Sequence, residues 1–310
     1  MQALVLKSTG SLFSLCTDEG KLIQARLAGK VRLDLRKSTS PVVVGDKVEI
    51  GEENREAIIT KIYPRKNYII RKSVNLSRQT HILAANIDQA FLLVTLVFPK
   101  ISTGFIDRFL VTAEAYGIPA SIIFNKTDLL DKELRKEQKE IMKIYSSIGY
   151  PCYEISAFEK KDTDKIKKLL KNKLTLLTGH SGAGKSTLIN HIQPGLNLKT
   201  ADLSDTHLKG KHTTTFSELH KLAEGGYIID TPGIKELGLV EMKKEEVGHY
   251  FPEMRALMND CKFNNCTHTN EPGCAVLKAV EERRISEERY RNYLSILNGD
   301  EMQWTEWENK

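Results

Sequence analysis

The chain has 310 residues, of which 40% are hydrophobic, enough for the cores of two or three globular domains. Its formal charge is +6, and residues 1–75 account for that whole excess, with 14 lysines and arginines against 8 acidic residues. No signal peptide is visible, and the longest apolar stretch (91–98) is too short to span a bilayer. The five cysteines do not resemble a disulfide framework. A cytoplasmic protein is therefore expected rather than a membrane or secreted one.

Residues 1–72 predict an all-β domain. Five short segments of alternating polar and apolar residues are separated by turns rich in glycine, aspartate and asparagine. These segments span residues 3–7, 12–16, 22–27, 47–50 and 57–62. About five strands in so short a segment indicate a small barrel of the OB-fold type, a common binder of oligonucleotides.

The basic residues of this predicted barrel suggest a polyanionic partner. Between positions 21 and 37, six lysines and arginines are accompanied by a single acid, Asp34. Five more cations lie between positions 61 and 72, with no acid among them and with Tyr63 and Tyr68 interleaved. Cations that follow a phosphate backbone and rings that stack on bases are typical of single-stranded nucleic-acid binding. The alternatives are a solvated basic surface and tyrosines that belong to the barrel core.

From residue 87 the pattern changes to alternating strands and helices. The predicted strands span residues 89–96, 120–124, 152–155 and 174–178. The predicted helices between them span residues 106–116, 132–148 and 164–170. Such alternation predicts a mostly parallel sheet with helices on both faces, in which ligands bind at the carboxyl ends of the strands.

The loop after the strand at 174–178 matches the phosphate-loop pattern G-x-x-x-x-G-K-S/T. Its residues are Gly179, His180, Ser181, Gly182, Ala183, Gly184, Lys185, Ser186 and Thr187. The glycines allow backbone N–H groups to surround phosphate oxygens, and the helix that begins near Lys185 adds the positive end of its dipole. Lys185 is expected to reach the β- and γ-phosphates, and Ser186 to ligate Mg²⁺.

A second motif, N-K-x-D, follows the strand at 120–124 and predicts recognition of guanine. It consists of Asn125, Lys126, Thr127 and Asp128. The carboxylate of Asp128 can accept hydrogen bonds from N1–H and the exocyclic amine of guanine, a pair of donors that adenine lacks. Asn125 can bond the other edge of the base or brace the loop, and the stem of Lys126 can pack on the ring. After the next strand, Ser156 and Ala157 lie where a backbone N–H could meet guanine O6.

Two polar segments downstream of the phosphate loop complete the predicted nucleotide site. Residues 200–215 are expected to form a mobile loop in which Thr214 completes the Mg²⁺ shell. Residues 230–233 form a D-x-x-G motif, in which Asp230 can hold Mg²⁺ through water and the N–H of Gly233 can sense the γ-phosphate. Loss of that phosphate would release both segments.

The group that orients the attacking water is not the usual one. Ras-like enzymes place a glutamine directly after the D-x-x-G glycine, and here Ile234 occupies that position. His212 is the nearest candidate by sequence, because a neutral imidazole can accept a proton from water near pH 7. The alternative is a solvent-facing loop histidine. With Lys185 and Thr214, His212 completes the predicted catalytic set.

The order of these motifs indicates a circularly permuted GTPase domain. In Ras-like proteins the phosphate loop comes first and N-K-x-D follows D-x-x-G, whereas here N-K-T-D precedes the phosphate loop. The three-dimensional site can survive the permutation because it needs only a new connection between the old termini. The D-x-x-G loop then leads directly into the C-terminal region.

That C-terminal region contains the pattern C-x₄-C-x-H-x₅-C. Its members are Cys261, Cys266, His268 and Cys274. Three thiolates and one imidazole predict a closed, tetrahedral Zn²⁺ site of the structural type rather than a catalytic one. Helices are predicted on both sides, at 245–258 with an interruption near Pro252 and at 275–297.

Together these features resemble the ribosome-small-subunit-dependent GTPase family, RsgA. The resemblance covers nearly the whole chain and is carried by GHSGAGKST, NKTD, GKHTTT, DTPG and CKFNNCTHTNEPGC. It implies an OB-fold RNA-binding domain at 1–72, a circularly permuted P-loop GTPase domain of α/β class at 73–238, and a mostly helical zinc-binding domain at 239–310. It also implies a cytoplasmic GTPase that binds GTP and GDP, the 30S subunit and its 16S rRNA, acts in late small-subunit maturation and is stimulated by the ribosome. A monomer is expected.

Two other functions are compatible with parts of the sequence. A metabolic P-loop ATPase or kinase would use the phosphate loop, but the N-K-T-D motif disfavours it. An RNA-binding assembly scaffold, in which GTP only tunes docking, would use the same motifs with incidental turnover. Affinities for ATP and GTP test the first alternative, and single-turnover rates with and without 30S particles test the second.

Overall fold

The computed structural model describes residues 1–29, 31, 42–72, 80–196, 218–230 and 242–299, without the side chains of residues 71, 72, 80, 81 and 230. The chain forms two compact units. The first unit comprises Met1–Phe91, Ala157–Ser181 and Lys185–Gly238, and the second comprises Leu92–Ser156, Gly182–Gly184 and Leu239–Lys310. The division into three domains at 1–72, 73–238 and 239–310 stays a prediction.

The regular elements alternate as expected from residue 87 onward. The strands are β1 (Gln2–Ser8), β2 (Phe13–Thr17), β3 (Leu22–Leu27), β4 (Lys47–Glu53), β5 (Glu56–Ile62), β6 (Tyr68–Lys72), β7 (Thr80–Ala85), β8 (Gln89–Val94), β9 (Ala120–Phe124), β10 (Cys152–Glu154), β11 (Leu174–Gly179), β12 (Glu218–Lys221) and β13 (Tyr227–Asp230). The helices are α1 (Thr103–Ala115), α2 (Lys132–Ser147), α3 (Lys160–Leu170), α4 (Lys185–Ile192), α5 (Lys244–Val247), α6 (Pro252–Arg255), α7 (Ala275–Glu281) and α8 (Glu287–Asn298). None of the helices within these ranges has the length and apolarity that a bilayer span requires.

The N-terminal strands close into a five-stranded barrel, which confirms the OB-fold prediction. The strand order is β1-β2-β3-β5-β4, and β4 pairs back with β1 through Gln2 opposite Glu49. The pairing is antiparallel except between β3 and β5, where Arg26 lies opposite Ile58 in a parallel register. The alternation of each strand sends its apolar residues inward, so that Phe13 and Ile59 lie in the barrel core.

A hairpin that the sequence pattern did not predict packs beside the barrel. It consists of β6 and β7, and Val44 forms a parallel bridge to Ala84. Asp46 is fully buried there, and its carboxylate accepts a forked pair of hydrogen bonds from Arg65 at 2.7 and 2.8 Å. Such a bidentate pair compensates the desolvation of the buried carboxylate.

These contacts change the interpretation of the second basic cluster. Its sequence holds no acid, but Arg65 pairs with Asp46 and Lys66 pairs with Asp88, both from elsewhere in the chain. Tyr68 is 43% exposed, so it is not a barrel-core residue. Most of the first cluster, residues 30 and 32–37, lies outside the described residues.

The rest of the first unit places two nucleotide motifs at one sheet edge. β11 and β13 are parallel, with Leu177 opposite Asp230, and β12 runs antiparallel to β13. The phosphate loop leaves β11 at Gly179, and the D-x-x-G motif leaves β13 at Asp230. Parallel strands end on the same side of a sheet, so both motifs start at the same carboxyl edge.

The second unit repeats this arrangement for the guanine motif. β9 and β10 are parallel, with Phe124 opposite Glu154. The backbone N–H of Asn125 donates to Val94 at the end of β8 (2.8 Å), and that of Thr127 donates to Ile155 (3.2 Å). The loops after β8, β9 and β10 therefore emerge side by side.

The C-terminal helices are shorter than the sequence predicts. The expected helix at 245–258 is divided into α5 and α6 with 3₁₀ turns after each. The prediction of one helix at 275–297 was wrong, because α7 ends at Glu281 and α8 starts at Glu287. Arg283 adopts φ +56° between them, and the N–H groups of Arg284 and Ile285 both donate to the carbonyl of Ala279. This closure buries Ile285 in the core of the C-terminal region.

A buried ion network fastens α8 to α1 within the second unit. Arg289, only 3% exposed in its side chain, donates to Asp107 at 2.5 Å and forks onto Glu253 at 2.8 and 2.9 Å. Tyr145 and Asn292 donate to the same Asp107 carboxylate, at 2.8 and 2.6 Å. Burial alone would lower the pKa of Arg289, but Asp107 and Glu253 outweigh it and raise that pKa above its ordinary value. The network satisfies charges that would otherwise be costly to bury.

Candidate functional site

The phosphate loop has the backbone that its glycines predict. β11 is buried along its whole length, and α4 begins at Lys185. Between them Gly182 and Gly184 adopt φ +80° and +94°, in the left-handed region that favours glycine. The loop is thus bounded by a buried strand and a helix N-terminus, as the prediction requires.

Two side chains of this loop, those of Lys185 and His180, contact its own backbone. The ammonium of Lys185 donates to the carbonyl oxygens of Gly179 and His180, at 2.5 and 2.9 Å. Nδ1 of His180 lies 2.9 Å from the carbonyl of Ser181, while its Nε2 is buried without a hydrogen-bond partner in the described part of the chain. Lys185 is therefore held at the loop, where a phosphate would meet it.

Asn125 braces the phosphate loop, which is one of the two roles that the sequence left open; the contact with the base stays a prediction. Its side chain is buried, and Nδ2 donates to the carbonyl of Ala183 at 2.9 Å. A side chain at Gly184 would collide with the same amide nitrogen. Asn125 and Gly184 are therefore matched to each other, and together they join the guanine motif to the phosphate loop.

Lys126 and Asp128 of the N-K-T-D motif differ in their surroundings. Lys126 adopts φ +64°, and its ammonium donates to the carbonyl of Phe98. Burial lowers the pKa of Lys126 below its ordinary value, which nearby Asp128 partly offsets. Asp128 lies exposed in the 3₁₀ turn Thr127–Leu129. Its carboxylate is thus accessible to a base, as the guanine prediction needs.

Ser186 and Thr187 are half-buried in the first turn of α4. The other predicted nucleotide residues divide into two groups. Ser156 and Ala157 are both buried, and they follow β10 after one intervening residue, Ile155. Asp230 ends β13, but its side chain, together with His212, Thr214 and Gly233, lies outside the described residues. The roles assigned to these four stay predictions.

The predicted metal ligands converge in the second unit. The ligand atoms of Cys261, Cys266, His268 and Cys274 all lie within 4.8 Å of one another. Sγ of Cys261 lies 3.9 Å from that of Cys274, and Nδ1 of His268 lies 3.7 and 3.4 Å from these two sulfurs. Ligands about 2.1–2.3 Å from a tetrahedral ion are separated by similar distances. The cluster can hold a metal ion.

The surrounding residues orient these ligands. The carboxylate of Glu271 accepts hydrogen bonds from the backbone N–H groups of Thr267 and Thr269, at 2.7 and 2.8 Å. Tyr290 and Tyr293 on α8 donate to the carbonyls of His268 and Thr267, at 2.7 and 2.5 Å. Metal sites depend on such outer contacts to fix ligand orientation.

Burial shifts the pKa values of three of these ligands, Cys266, Cys274 and His268. Burial raises the pKa of the Cys266 thiol to about 12, and the neighbouring sulfurs of Cys274 and Cys261 add to that shift. Burial also lowers the pKa of His268, which favours the neutral imidazole that binds metals. Burial raises the pKa of the Cys274 thiol as well, and a bound cation is what deprotonates thiols of this kind.

Comparison with known proteins identifies the family. The model of the RsgA GTPase family matches residues 62–240, which is more than half of the chain. The chain belongs to the RsgA GTPase family. Its members are GTP hydrolases, so the N-K-T-D and phosphate-loop motifs of this chain are those of a GTPase.

Relatives in this family match over nearly the full length. A protein of Bacteroides fragilis named small ribosomal subunit biogenesis GTPase RsgA is 53% identical over 302 residues, covering 97% of each chain. A protein of the same name from Flavobacterium psychrophilum is 50% identical over 305 residues, covering 97% of this chain and 94% of its own.

Solved structures show the same architecture. The crystal structure of YjeQ from Thermotoga maritima is 34% identical and matches with a TM-score of 0.79 over 96% of this chain and 97% of that one. The crystal structure of YloQ, described as a circularly permuted GTPase, is 30% identical, with a TM-score of 0.75 over 96% of this chain and 94% of that one. The predicted permutation is thereby confirmed for this member of the RsgA family.

Proposed function

We propose that this RsgA-family chain hydrolyses GTP during maturation of the small ribosomal subunit, and that it binds the 30S subunit through 16S rRNA. The observation that carries the proposal is the similarity to relatives named for small-subunit biogenesis, which have 53% and 50% sequence identity over 97% of this chain. The brace from Asn125 to the phosphate loop supports the guanine-nucleotide part of it. We propose a cytoplasmic monomer.

Guanine recognition is assigned to the N-K-T-D loop and its neighbour. Asp128 accepts from N1–H and the exocyclic amine, while the stem of Lys126 packs on the ring and Thr127 holds the turn. A backbone N–H at Ser156 or Ala157 meets guanine O6. The exposed carboxylate of Asp128 supports this assignment.

Phosphate handling is assigned to the phosphate loop. Backbone N–H groups of residues 179–187 cradle the phosphate oxygens, and Lys185 neutralises charge on the β- and γ-phosphates. Hydroxyl and carboxylate oxygens of Ser186, Thr214 and Asp230 are the donor set that Mg²⁺ prefers. Bound there, Mg²⁺ supplies further neutralisation of phosphate charge. The N–H of Gly233 contacts the γ-phosphate.

Activation of water is assigned to His212. A neutral imidazole can align the attacking water and accept its proton, which Ile234 cannot do. A partner is expected to order the motif that contains His212. We therefore expect the free chain to hydrolyse GTP slowly and the 30S subunit to accelerate hydrolysis.

The metal in the Cys261, Cys266, His268 and Cys274 cluster is proposed to be zinc. A closed set of three sulfurs and one nitrogen suits Zn²⁺ and leaves no open position for catalysis. The support of this loop by Tyr290 and Tyr293 on α8 points to a structural role.

Cosedimentation with purified subunits tests the partner. The full chain, loaded with a non-hydrolysable GTP analogue, should pellet with 30S particles but not with 50S particles. Exchange of the analogue for GDP should release the chain from the 30S particles. The released state is expected because loss of the γ-phosphate frees the segments that carry Thr214 and Gly233. Equal pelleting with both subunits, or with neither, would contradict the proposed partner.

A further inference from the structure

Phe98 is an exposed aromatic residue beside the guanine motif. Its side chain is 62% exposed, and it lies in the loop that follows β8 in the second unit. Val94, the last residue of β8, accepts the backbone hydrogen bond of Asn125 at 2.8 Å. The loop therefore leaves the carboxyl end of its strand next to N-K-T-D, at the edge where parallel sheets bind ligands.

Two contacts place this loop against both nucleotide motifs. The ammonium of Lys126 donates to the carbonyl of Phe98, so the aliphatic stem of that lysine bridges N-K-T-D and Phe98. A Cβ atom on Gly182 of the phosphate loop would lie 3.4 Å from Cδ of Pro99. The backbone at Phe98 thus contacts the guanine motif, and Pro99 lies next to Gly182 of the phosphate loop.

The loop also holds its own shape. The hydroxyl of Thr95 donates to the carbonyl of Pro99 at 2.6 Å, and the N–H of Ile101 donates to Thr95 at 3.0 Å. Phe98 adopts φ +47°, which a bulky residue rarely does. Such conformations persist where the surroundings hold them, and they cluster at ligand sites.

We infer that Phe98 is a nucleotide-binding residue whose ring packs against the base and ribose of the bound guanine nucleotide. The inference rests on the proposed guanine-nucleotide function and assigns part of the nucleotide affinity to a loop outside the motifs predicted from the sequence. A phenyl ring has no hydrogen-bonding atom, so it cannot distinguish the polar edges of different bases, and stacking on it tolerates any base. Phe98 therefore supplies affinity, whereas Asp128 supplies the choice of base.

Calorimetric titration of the full chain with unlabelled GDP tests this assignment. Replacing a ring that stacks on a base by alanine costs roughly 5- to 150-fold in affinity. Phe98→Ala should therefore weaken GDP binding about tenfold, while Phe98→Tyr, which keeps the ring, should stay within about twofold. Leu22→Ala, which removes a side chain 69% exposed on barrel strand β3, is the matched control and should bind GDP as the wild type does. The thermal midpoint of Phe98→Ala should match the wild type, because its side chain is mostly exposed.

A double-mutant cycle separates loss of stacking from distortion of the guanine loop. In a chain carrying Asp128→Asn, Phe98→Ala should weaken xanthosine diphosphate binding by the same factor as it weakens GDP binding in the wild type. Equal factors mean that the ring acts independently of the base edge. A factor that differs by base would show that the substitution distorts the N-K-T-D loop, and it would overturn the inference.

If Phe98→Ala bound GDP with wild-type affinity, the inference would likewise be overturned. If this variant lost only 30S binding, the ring would belong to a contact with the ribosomal subunit instead. A wild-type chain that fails to bind GDP would overturn the proposed function itself. The two failures are therefore distinguishable in one set of titrations.

Discussion

A chain carrying Asp128→Asn should lose most of its affinity for GTP and gain affinity for xanthosine triphosphate. The asparagine cannot accept both guanine donors, but its amide can donate to the carbonyl that xanthine carries in place of the amine. Sites built around such hydrogen bonds discriminate by roughly 10⁴-fold or more, because the wrong ligand leaves polar groups unpaired. Competition titrations with GTP, ATP and xanthosine triphosphate measure the change.

Asp131→Asn is the matched control for this substitution. Asp131 caps α2 through a hydrogen bond from the N–H of Leu134 at 2.8 Å, and asparagine caps helices about as well as aspartate. Asp131→Asn makes the same chemical change three residues away from Asp128. The nucleotide preference of this variant should therefore equal that of the wild type. Equal wild-type affinity for ATP and GTP, or retained guanine preference in Asp128→Asn, would contradict the assignment of Asp128.

Removal of the metal should unfold the segment around residues 261–274. Structural zinc contributes roughly 10–16 kcal/mol of apparent binding free energy at neutral pH, which is more than most domains have in total stability. Cys266→Ala, or a strong chelator, should make this segment sensitive to limited proteolysis and weaken 30S binding. Binding of GTP should persist, because the N-K-T-D and phosphate loops contribute no ligand to the cluster.

Cys152→Ala provides the thiol control. Cys152 is a half-buried free thiol on β10, and burial raises its pKa to about 12, but it is not part of the metal cluster. Its replacement should leave the metal content unchanged. Elemental analysis should find one zinc per chain in the wild type and in Cys152→Ala, and a clear loss in Cys266→Ala. A wild-type protein purified without stoichiometric zinc would refute the zinc assignment.

Local sequence patterns were sufficient for most of the elements. Period-two alternation predicts all five barrel strands, and the buried strand at Ala120–Phe124 ends directly before Asn125 as expected. The cysteine spacing predicts the metal cluster, because ligands within one short segment need only a turn to converge. These are cases in which the determining interactions lie close together in sequence.

Contacts between distant residues were not predictable from one sequence. Arg289 and Asp107 are 182 positions apart. The local sequence around each residue does not distinguish it from a charged residue on the surface. Arg65 likewise appears in a cluster of cations, although its carboxylate partner is Asp46. Ion pairs of this kind depend on the tertiary fold, which brings together charges that carry no local signal.

The break between α7 and α8 shows a second limit. The apolar periodicity continues from residue 275 to 297, and no glycine or proline interrupts it. The structure instead places Arg283, a residue with no special turn preference, in the left-handed conformation. Burial of Ile285 favours this turn, and tertiary packing therefore overrides local helix propensity.

At the nucleotide site, sequence reasoning identified the motifs but not all of their roles. It left Asn125 with two possible partners, and the structure shows the hydrogen bond to Ala183, whereas contact with the base stays a prediction. It did not identify the loop of Phe98 and Pro99, because that loop has no motif and is recognisable only by its contacts with Lys126 and Gly182.

GTP turnover by the full chain, measured alone, with 30S particles and with 50S particles, tests the proposed function most directly. We expect slow turnover alone and stimulation by 30S of roughly 10²-fold or more, the contribution of one well-placed general base. His212→Ala should lose most of that stimulation while keeping near-normal GTP affinity. Turnover that 30S particles do not raise, or that 50S particles raise equally, would contradict the account.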